Sequence, residues 1–318
     1  MFTSQLGQEM TRFLEFKKSL GYSESTYLKF LIQIDRFLQQ HENPETLDRQ
    51  MVEKWIEQKN GEQENGRKRR MNAIRVFSIY LTSKGIDTYI VPSEMIGNYK
   101  PYTPFIFSDE QLCKFLAATE GFEKSSHSPV RHLLVPAYFR LTLSCGLRPN
   151  EGKNLKQSDL DFKSGLLTIT NSKGHKDRVI PVDPDVLAFC RRYDRAAETL
   201  YQNRAWFFIT PYGNRPWMQW FQNRFHDCMT RAEIYSSDPK PRIFDLRHNF
   251  ATRKLQQWLD AGLDINGMLP YLSQYMGHAQ LSDTAYYIHL LPERLVKSQE
   301  INWTFLNAII PEVKNDEP

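Results

Sequence analysis

The chain has no apolar run long enough to span a bilayer, which excludes a helical membrane protein. Its first residues, Met1-Phe2-Thr3-Ser4-Gln5, lack the basic and apolar regions of a signal peptide. Cysteine is scarce. Cys113, Cys145, Cys190 and Cys228 are the four present, scattered, with no Cys-x-x-Cys pair. That excludes a disulfide framework and suits buried free thiols in a reducing cytoplasm. There is no glycine-rich phosphate loop and no Asp/Glu cluster suited to Mg²⁺, so neither a nucleotide nor a metal cofactor is expected. His248, His278 and His289 match no common zinc spacing. No internal repeat and no low-complexity tract appears before the polar tail from Val313 to Pro318. Nor does one sign of charge dominate: 41 Lys and Arg against 37 Asp and Glu leave a net charge of +4. Such a balance permits a polyanionic partner without requiring one, so the positions of the cations must decide.

What is present is helical periodicity over most of 318 residues, a length that suits two domains better than one. Met10, Phe13 and Leu14 line one face of a first helix that stops near Gly21. Ser23 can cap a second, along which Tyr27, Phe30, Leu31, Ile34, Phe37 and Leu38 recur at steps of three and four until Asn43-Pro44. Val52, Trp55 and Ile56 carry a third. Residues 58–66 read as an exposed polar loop. A fourth helix buries Ile74, Phe77, Tyr80 and Leu81 and closes at Gly85. Arg67, Lys68, Arg69, Arg70 and Arg75 crowd its first turns with no interleaved acid, and read either as a solvated face or as contacts to a phosphate backbone. Pro92, Pro101 and Pro104, with Gly97 and Asn98, make a hinge without regular structure.

The second domain opens on a capping box, Ser108-Asp109-Glu110-Gln111. Pro136 suits the first turn of a later helix. Alternation along residues 166–171 and again at Val179, Ile180, Pro181 and Val182 predicts a hairpin, beside a third strand near Asp159 to Phe162. Helical patterns resume at Pro184. The fold class expected is therefore mainly α with one small antiparallel sheet.

Cleaving a phosphodiester without metal needs a nucleophile, cations on the non-bridging oxygens, and an acid for the departing oxygen. Arg148 and Arg247 suit the second role, since a guanidinium is planar, bidentate and always charged. Glu151, one turn beyond Arg148, can buttress it. Lys173, at the hairpin tip, can reach a leaving oxygen. Either Tyr286 or Tyr287 can serve as nucleophile beside such cations.

The residues fall in four short motifs: Gly146-Leu147-Arg148-Pro149-Asn150-Glu151, Ser172-Lys173-Gly174-His175-Lys176-Asp177-Arg178, Asp245-Leu246-Arg247-His248, and Met276-Gly277-His278. Taken in this order they resemble the tyrosine recombinase family, of the phage-integrase and Xer-like type. The resemblance covers almost the whole chain. It implies a core-binding DNA-binding domain over residues 1–90, a linker over 91–106, and a catalytic domain over 107–318, closing as a C-shaped clamp on double-stranded DNA. It implies catalytic Arg148, Lys173, Arg247 and His278, with Tyr287 as nucleophile by its spacing from His278. Glu151 and His248 support them, and Arg178 joins Arg67, Lys68, Arg69, Arg70 and Arg75 as DNA contacts. The implied activity is site-specific recombination through a 3′-phosphotyrosyl intermediate, for a mobile element or phage in the cytoplasm, by four identical protomers on two sites. No cofactor, membrane or small-molecule substrate enters that scheme. Ile301, Trp303, Phe305, Leu306 and Ile309 would dock on the chain's own domain or on a neighbouring protomer. Phe244 departs from the pattern, because the family usually carries a phosphate-binding histidine there. A DNA-binding regulator without the chemistry is the alternative this leaves. A topoisomerase-like relaxase fits less well, given the short N-terminal domain.

Overall fold

The computed structural model describes residues 2–99, 102–170, 177–236 and 239–291. The chain divides into two units, Met1–Tyr102 and Thr103–Pro318. Among the described residues no helix is long and apolar enough to cross a membrane.

The first unit packs α1 (Gly7–Ser19), α2 (Ser25–Gln39), α3 (Arg49–Ile56), α4 (Glu64–Ser83) and a short α5 (Ser93–Ile96). Met10, Phe13, Leu31, Ile34, Leu38, Trp55, Ile74 and Phe77 form its core, the faces that their spacing predicts. Phe13 meets Phe77, Tyr27 and Tyr80 edge-on, each with ring centres 5.3 or 5.4 Å apart. Two local expectations fail here. Ser23 does not cap α2, whose first flanking residue is Glu24 with no side-chain bond. The proline-rich stretch is not wholly irregular either: α5 starts directly after Pro92 and buries Ile96. Proline disfavours a helix interior, but its fixed φ is no obstacle immediately before one.

The cation run on α4 also needs correcting. Arg70 is 2% exposed and pairs with Glu62 at 2.7 Å, while donating to the Glu57 carbonyl at 2.8 Å. Lys68 pairs with Glu64 at 2.8 Å, Arg67 donates to the Ile56 carbonyl, and Arg75 to the Val91 carbonyl. The acids that neutralise the run come from the loop before the helix and from its first turn. They fold back over cations that the sequence shows as uninterrupted. Arg70 is thus buried and paired within the protein, whereas Arg69 is exposed.

The second unit contains α6 (Asp109–Glu120), α7 (Arg131–Ser144), α8 (Pro149–Lys153), α9 (Pro184–Leu200), α10 (Met218–Arg231), α11 (Asp245–Asp260), α12 (Ile265–Met276) and α13 (Ser282–Ala285), with a 3₁₀ turn over Tyr286–Leu290. The expected capping box of α6 is formed by Ser108 and Gln111. Helix α7 begins earlier than Pro136 suggests, so that proline lies inside the helix. Its missing N–H leaves one ladder bond unmade, which the fully buried surroundings of Val135, Tyr138 and Phe139 outweigh. Tyr138 stacks on Phe221 at 3.9 Å, and Phe115, Phe139 and Phe225 pack around that pair. Cys145, Cys190 and Cys228 are buried free thiols, whereas Cys113 is exposed.

Strands β1 (Leu160–Asp161), β2 (Leu166–Ile169) and β3 (Arg178–Pro181) make a three-stranded antiparallel sheet in sequence order. Leu167 faces Ile180 and Ile169 faces Arg178 across β2 and β3. Leu167, Ile169 and Ile180 turn to the core. Since side chains alternate along a strand, Arg178 shares the inward side with Ile180, and Val179, 58% exposed, points out.

Arg70→Ala should lower the unfolding free energy by about 2 kcal/mol, because it removes a buried guanidinium that bonds both Glu62 and the Glu57 carbonyl. Arg69→Ala should change it by less than about 0.5 kcal/mol. Urea melts of both variants check the contrast, and equal losses would show that Arg70 is not structural.

Candidate active site

The site is built on two turns. Helix α7 ends at Ser144, and Gly146 reverses the chain with φ +57°. A Cβ at Gly146 would stand 2.5 Å from the Phe250 ring, so only glycine fits. Arg148 then flanks α8, with Pro149 in its first turn, and the Arg148 backbone N–H donates to Glu151 Oε2 at 2.9 Å. The Arg148 side chain donates from Nη1 to Glu151 Oε1 at 2.7 Å and from Nη2 to the Gly277 carbonyl at 2.8 Å. Gly277 is the second turn: it ends α12 in the left-handed conformation, at φ +66°.

Arg247 lies in the first turn of α11 and is 1% exposed. Its Nη1 donates to the Gly146 carbonyl and its Nη2 to the Met276 carbonyl, both at 2.7 Å. The two arginines are thus held crosswise, each by backbone oxygens from distant motifs. Helix α11 is itself pinned: Asn249 accepts from the Phe107 backbone N–H and donates to the Phe105 carbonyl. Burial, then repulsion from Arg148, lowers the Arg247 pKa to about 10, which leaves it a cation at neutral pH.

Tyr287 is 3% exposed and belongs to an apolar cluster with Phe250, Leu255, Leu269, Met276 and Ile288. Burial raises its phenol, opposed by the charge of Arg247 and by a hydrogen bond with it. Two imidazoles flank the ring. His278 stacks at 6.1 Å, and its Nδ1 lies 2.7 Å from Thr284 Oγ1. His248 stands 5.5 Å away. Burial and then the arginine charges depress both, His278 to about 3 and His248 to about 4.

A family model described as the phage integrase family matches residues 107–294, a span that holds both arginines, Glu151, His278 and Tyr287. The chain belongs to that family. It is 28% identical to a putative integrase/recombinase, y4rB, of Sinorhizobium fredii, over 91% of this chain and 94% of that one. It is also 28% identical to the tyrosine recombinase XerD of Rhizobium meliloti, over 71% and 70%. Among solved structures, the XerH site-specific recombinase bound to its difH substrate before cleavage aligns over 92% of this chain and 83% of that one. Its TM-score is 0.63 at 19% identity. The Tn1549 transposon integrase in complex with transposon right end DNA aligns over 90% and 94%, with a TM-score of 0.63 at 15% identity. The protein is a tyrosine-type site-specific recombinase of mainly helical fold.

In this integrase-family chain, the sequence-predicted residues Arg148, Glu151, Arg247, His248, His278 and Tyr287 all converge. Lys173, with its neighbours over 171–176, lies outside the described residues. Tyr286 is half-buried, and its ring centre lies 6.1 Å from that of Tyr287. Arg178, expected on DNA, makes a bidentate pair with Glu151, with side chains 7% and 5% exposed. Its place on the inward side of β3 is the reason. Beside Arg148 lies a cleft of about 790 Å³ whose cationic lining includes Lys156, Arg215 and Arg242, none of which the motifs signalled. Phe244 lines the same cleft, 37% exposed, with its ring 5.1 Å from His248. Thr284, fully buried against His278, was visible only as a neighbour of Tyr287.

Both imidazoles have folded-state pKa values below their ordinary 6.5. The unfolded chain therefore takes up protons first as the pH falls. Stability held above about 6.5 is lost progressively toward about 4 for His248 and about 3 for His278. Thermal melts from neutral pH downward should show the midpoint falling across this window, and falling less in a His248→Gln/His278→Gln variant. Equal slopes would mean that other groups carry the acid sensitivity.

Proposed function

We propose that the protein cuts and rejoins double-stranded DNA with Tyr287 as nucleophile and Arg148, Arg247 and His278 on the reacting phosphate. One observation carries this reading: the buried Tyr287 ring lies between the imidazoles of His248 and His278 and within the field of Arg247, whose guanidinium is fixed on two backbone carbonyls. A phosphate held by Arg148 and Arg247 meets donors already aimed, so little reorganisation accompanies charge development. Tyr287 Oη attacks phosphorus and the bond to the 5′-oxygen breaks. The phenol proton passes to a neutral imidazole beside it, and Lys173 protonates the departing oxygen. The product is a 3′-phosphotyrosyl ester and a free 5′-hydroxyl. A 5′-hydroxyl from a partner strand reverses the step, releasing Tyr287 with its proton and conserving the phosphodiester.

The N-terminal helical unit serves as the core-binding domain, with Arg69 among the residues that meet the backbone. Recombination joins two sites and calls for four protomers. A mobile element or phage is the natural owner of such an enzyme, and the cytoplasm is where it meets DNA. The apolar segment from Ile301 to Ile309, expected to dock in cis or in trans, lies outside the described residues. Phe244 favours one second reading, a DNA-binding regulator with weakened chemistry, because phenylalanine can neither donate to phosphate nor move a proton. One missing donor of this kind costs on the order of 10²-fold in rate.

Covalent trapping tests the reading. Duplexes retained by the protein from a randomised library are rebuilt with a nick beside the scissile position, so that cleavage cannot be reversed. Wild type should give an SDS-resistant protein–DNA band, Tyr287→Phe none, and Phe244→His a faster one, by up to about 10²-fold. A mobility shift without any wild-type band would transfer the conclusion to the regulator.

A further inference from the structure

Arg178 is placed where no DNA contact is needed to explain it. It reaches Glu151 from the inward side of β3, Nη1 to Oε1 at 3.1 Å and Nη2 to Oε2 at 2.8 Å. The same carboxylate receives Arg148 Nη1 at 2.7 Å and the Arg148 backbone N–H at 2.9 Å, and Arg247 Nη1 lies 3.9 Å away. Arg178 also walls the Gly277 turn: a Cβ there would stand 2.9 Å from Arg178 Nη1. The Gly277 carbonyl is the other anchor of Arg148, at 2.8 Å. Both anchors of the exposed-side arginine therefore touch Arg178.

We propose that Arg178 is a positioning residue that occupies Glu151 and so leaves the charge of Arg148 available to the scissile phosphate. The inference rests on the cleavage reading above. A nearly buried carboxylate attracts whichever cation is near, since little water screens it. With Arg178 bound on both oxygens, Glu151 orients Arg148 without neutralising it. Without Arg178, Glu151 falls to Arg148 alone. The guanidinium that should meet phosphate is then held by a competing anion. Burial alone would push the Glu151 carboxyl up; the hydrogen bond and charge of Arg178 lead the effects that hold it below its usual value. The carboxylate is thus ionised throughout the working pH range, and the competition is constant. Arg178 supplies a compensating charge rather than a contact to substrate.

The test measures covalent adduct formation by the full chain on the nicked duplex, together with affinity for the same duplex by gel shift. Arg178→Ala should slow adduct formation by about 10- to 100-fold, the loss typical when the partner of an orienting ligand is removed from around a catalytic centre. Duplex affinity should change far less than the rate. Adding Glu151→Gln should restore part of the rate, because the competing anion is gone. A packing role for Arg178 gives no such rescue, and a DNA contact lowers affinity in step with rate. An Arg178→Ala/Glu151→Gln protein no faster than Arg178→Ala would overturn the inference, as would parallel losses of affinity and rate. Should Arg178→Ala not fold, the same cycle is run with Arg178→Lys, which keeps the charge and loses the bidentate fork. The Lys substitution must then cost more in the wild-type background than with Glu151→Gln; equal costs overturn the proposal. Absence of a wild-type adduct fails the cleavage reading itself, and is told apart by that control.

Discussion

Three guanidiniums gather around one buried carboxylate, and the second unit of this protein is arranged to make that tolerable. Glu151 projects from α8, Arg178 from β3 and Arg247 from α11, while Arg148 precedes α8. Each charge alone would be expensive out of water. Together they pair, and the surplus of positive charge has backbone carbonyls to rest on. The sheet and two helices are therefore tied to each other through electrostatics at the point where the apolar cores around Tyr138 and Tyr287 meet.

Backbone anchoring gives the arrangement its rigidity. An arginine held by another side chain can swing with it, but one held by carbonyls at Gly146, Met276 and Gly277 moves only if a turn moves. The two turns need positive φ, and close neighbours, Phe250 at one and Arg178 at the other, leave no room for a side chain. Donors fixed in advance in a poorly hydrated site stabilise developing charge without a reorganisation cost. The apolar packing of Tyr287 works against ionisation of its phenol, and the charge of Arg247 works for it. The Tyr287 phenol is thus kept protonated at rest.

Much of this was legible in the sequence because the information is local. Helix faces follow from spacing, the α6 capping box from four adjacent residues, and the sheet from alternation interrupted by glycine. The converging residues were legible for a similar reason: each sits in a short motif whose neighbours build the turn that aims it. What escaped depends on partners far along the chain. Arg70 looked uncompensated because Glu62 returns from eight residues earlier through a loop. Arg178 looked like a surface cation in a basic hairpin because its partner, Glu151, lies 27 residues earlier. Lys156, Arg215 and Arg242 line the cleft from separate segments, and no motif joins them.

Phe244 can be weighed against this architecture. The anchors of Arg148 and Arg247 are Glu151 and the carbonyls of Gly146, Met276 and Gly277, and the Phe244 ring contacts His248 instead. Phenylalanine at position 244 therefore offers the cleft no donor and leaves the arginine frame intact. A protein that only gripped DNA would gain the same attraction from exposed cations, with no desolvation to offset. Arginines withdrawn from water and aimed by backbone oxygens are costly for binding and useful for a charge that exists only in a transition state. On that physical ground the frame belongs to a catalyst.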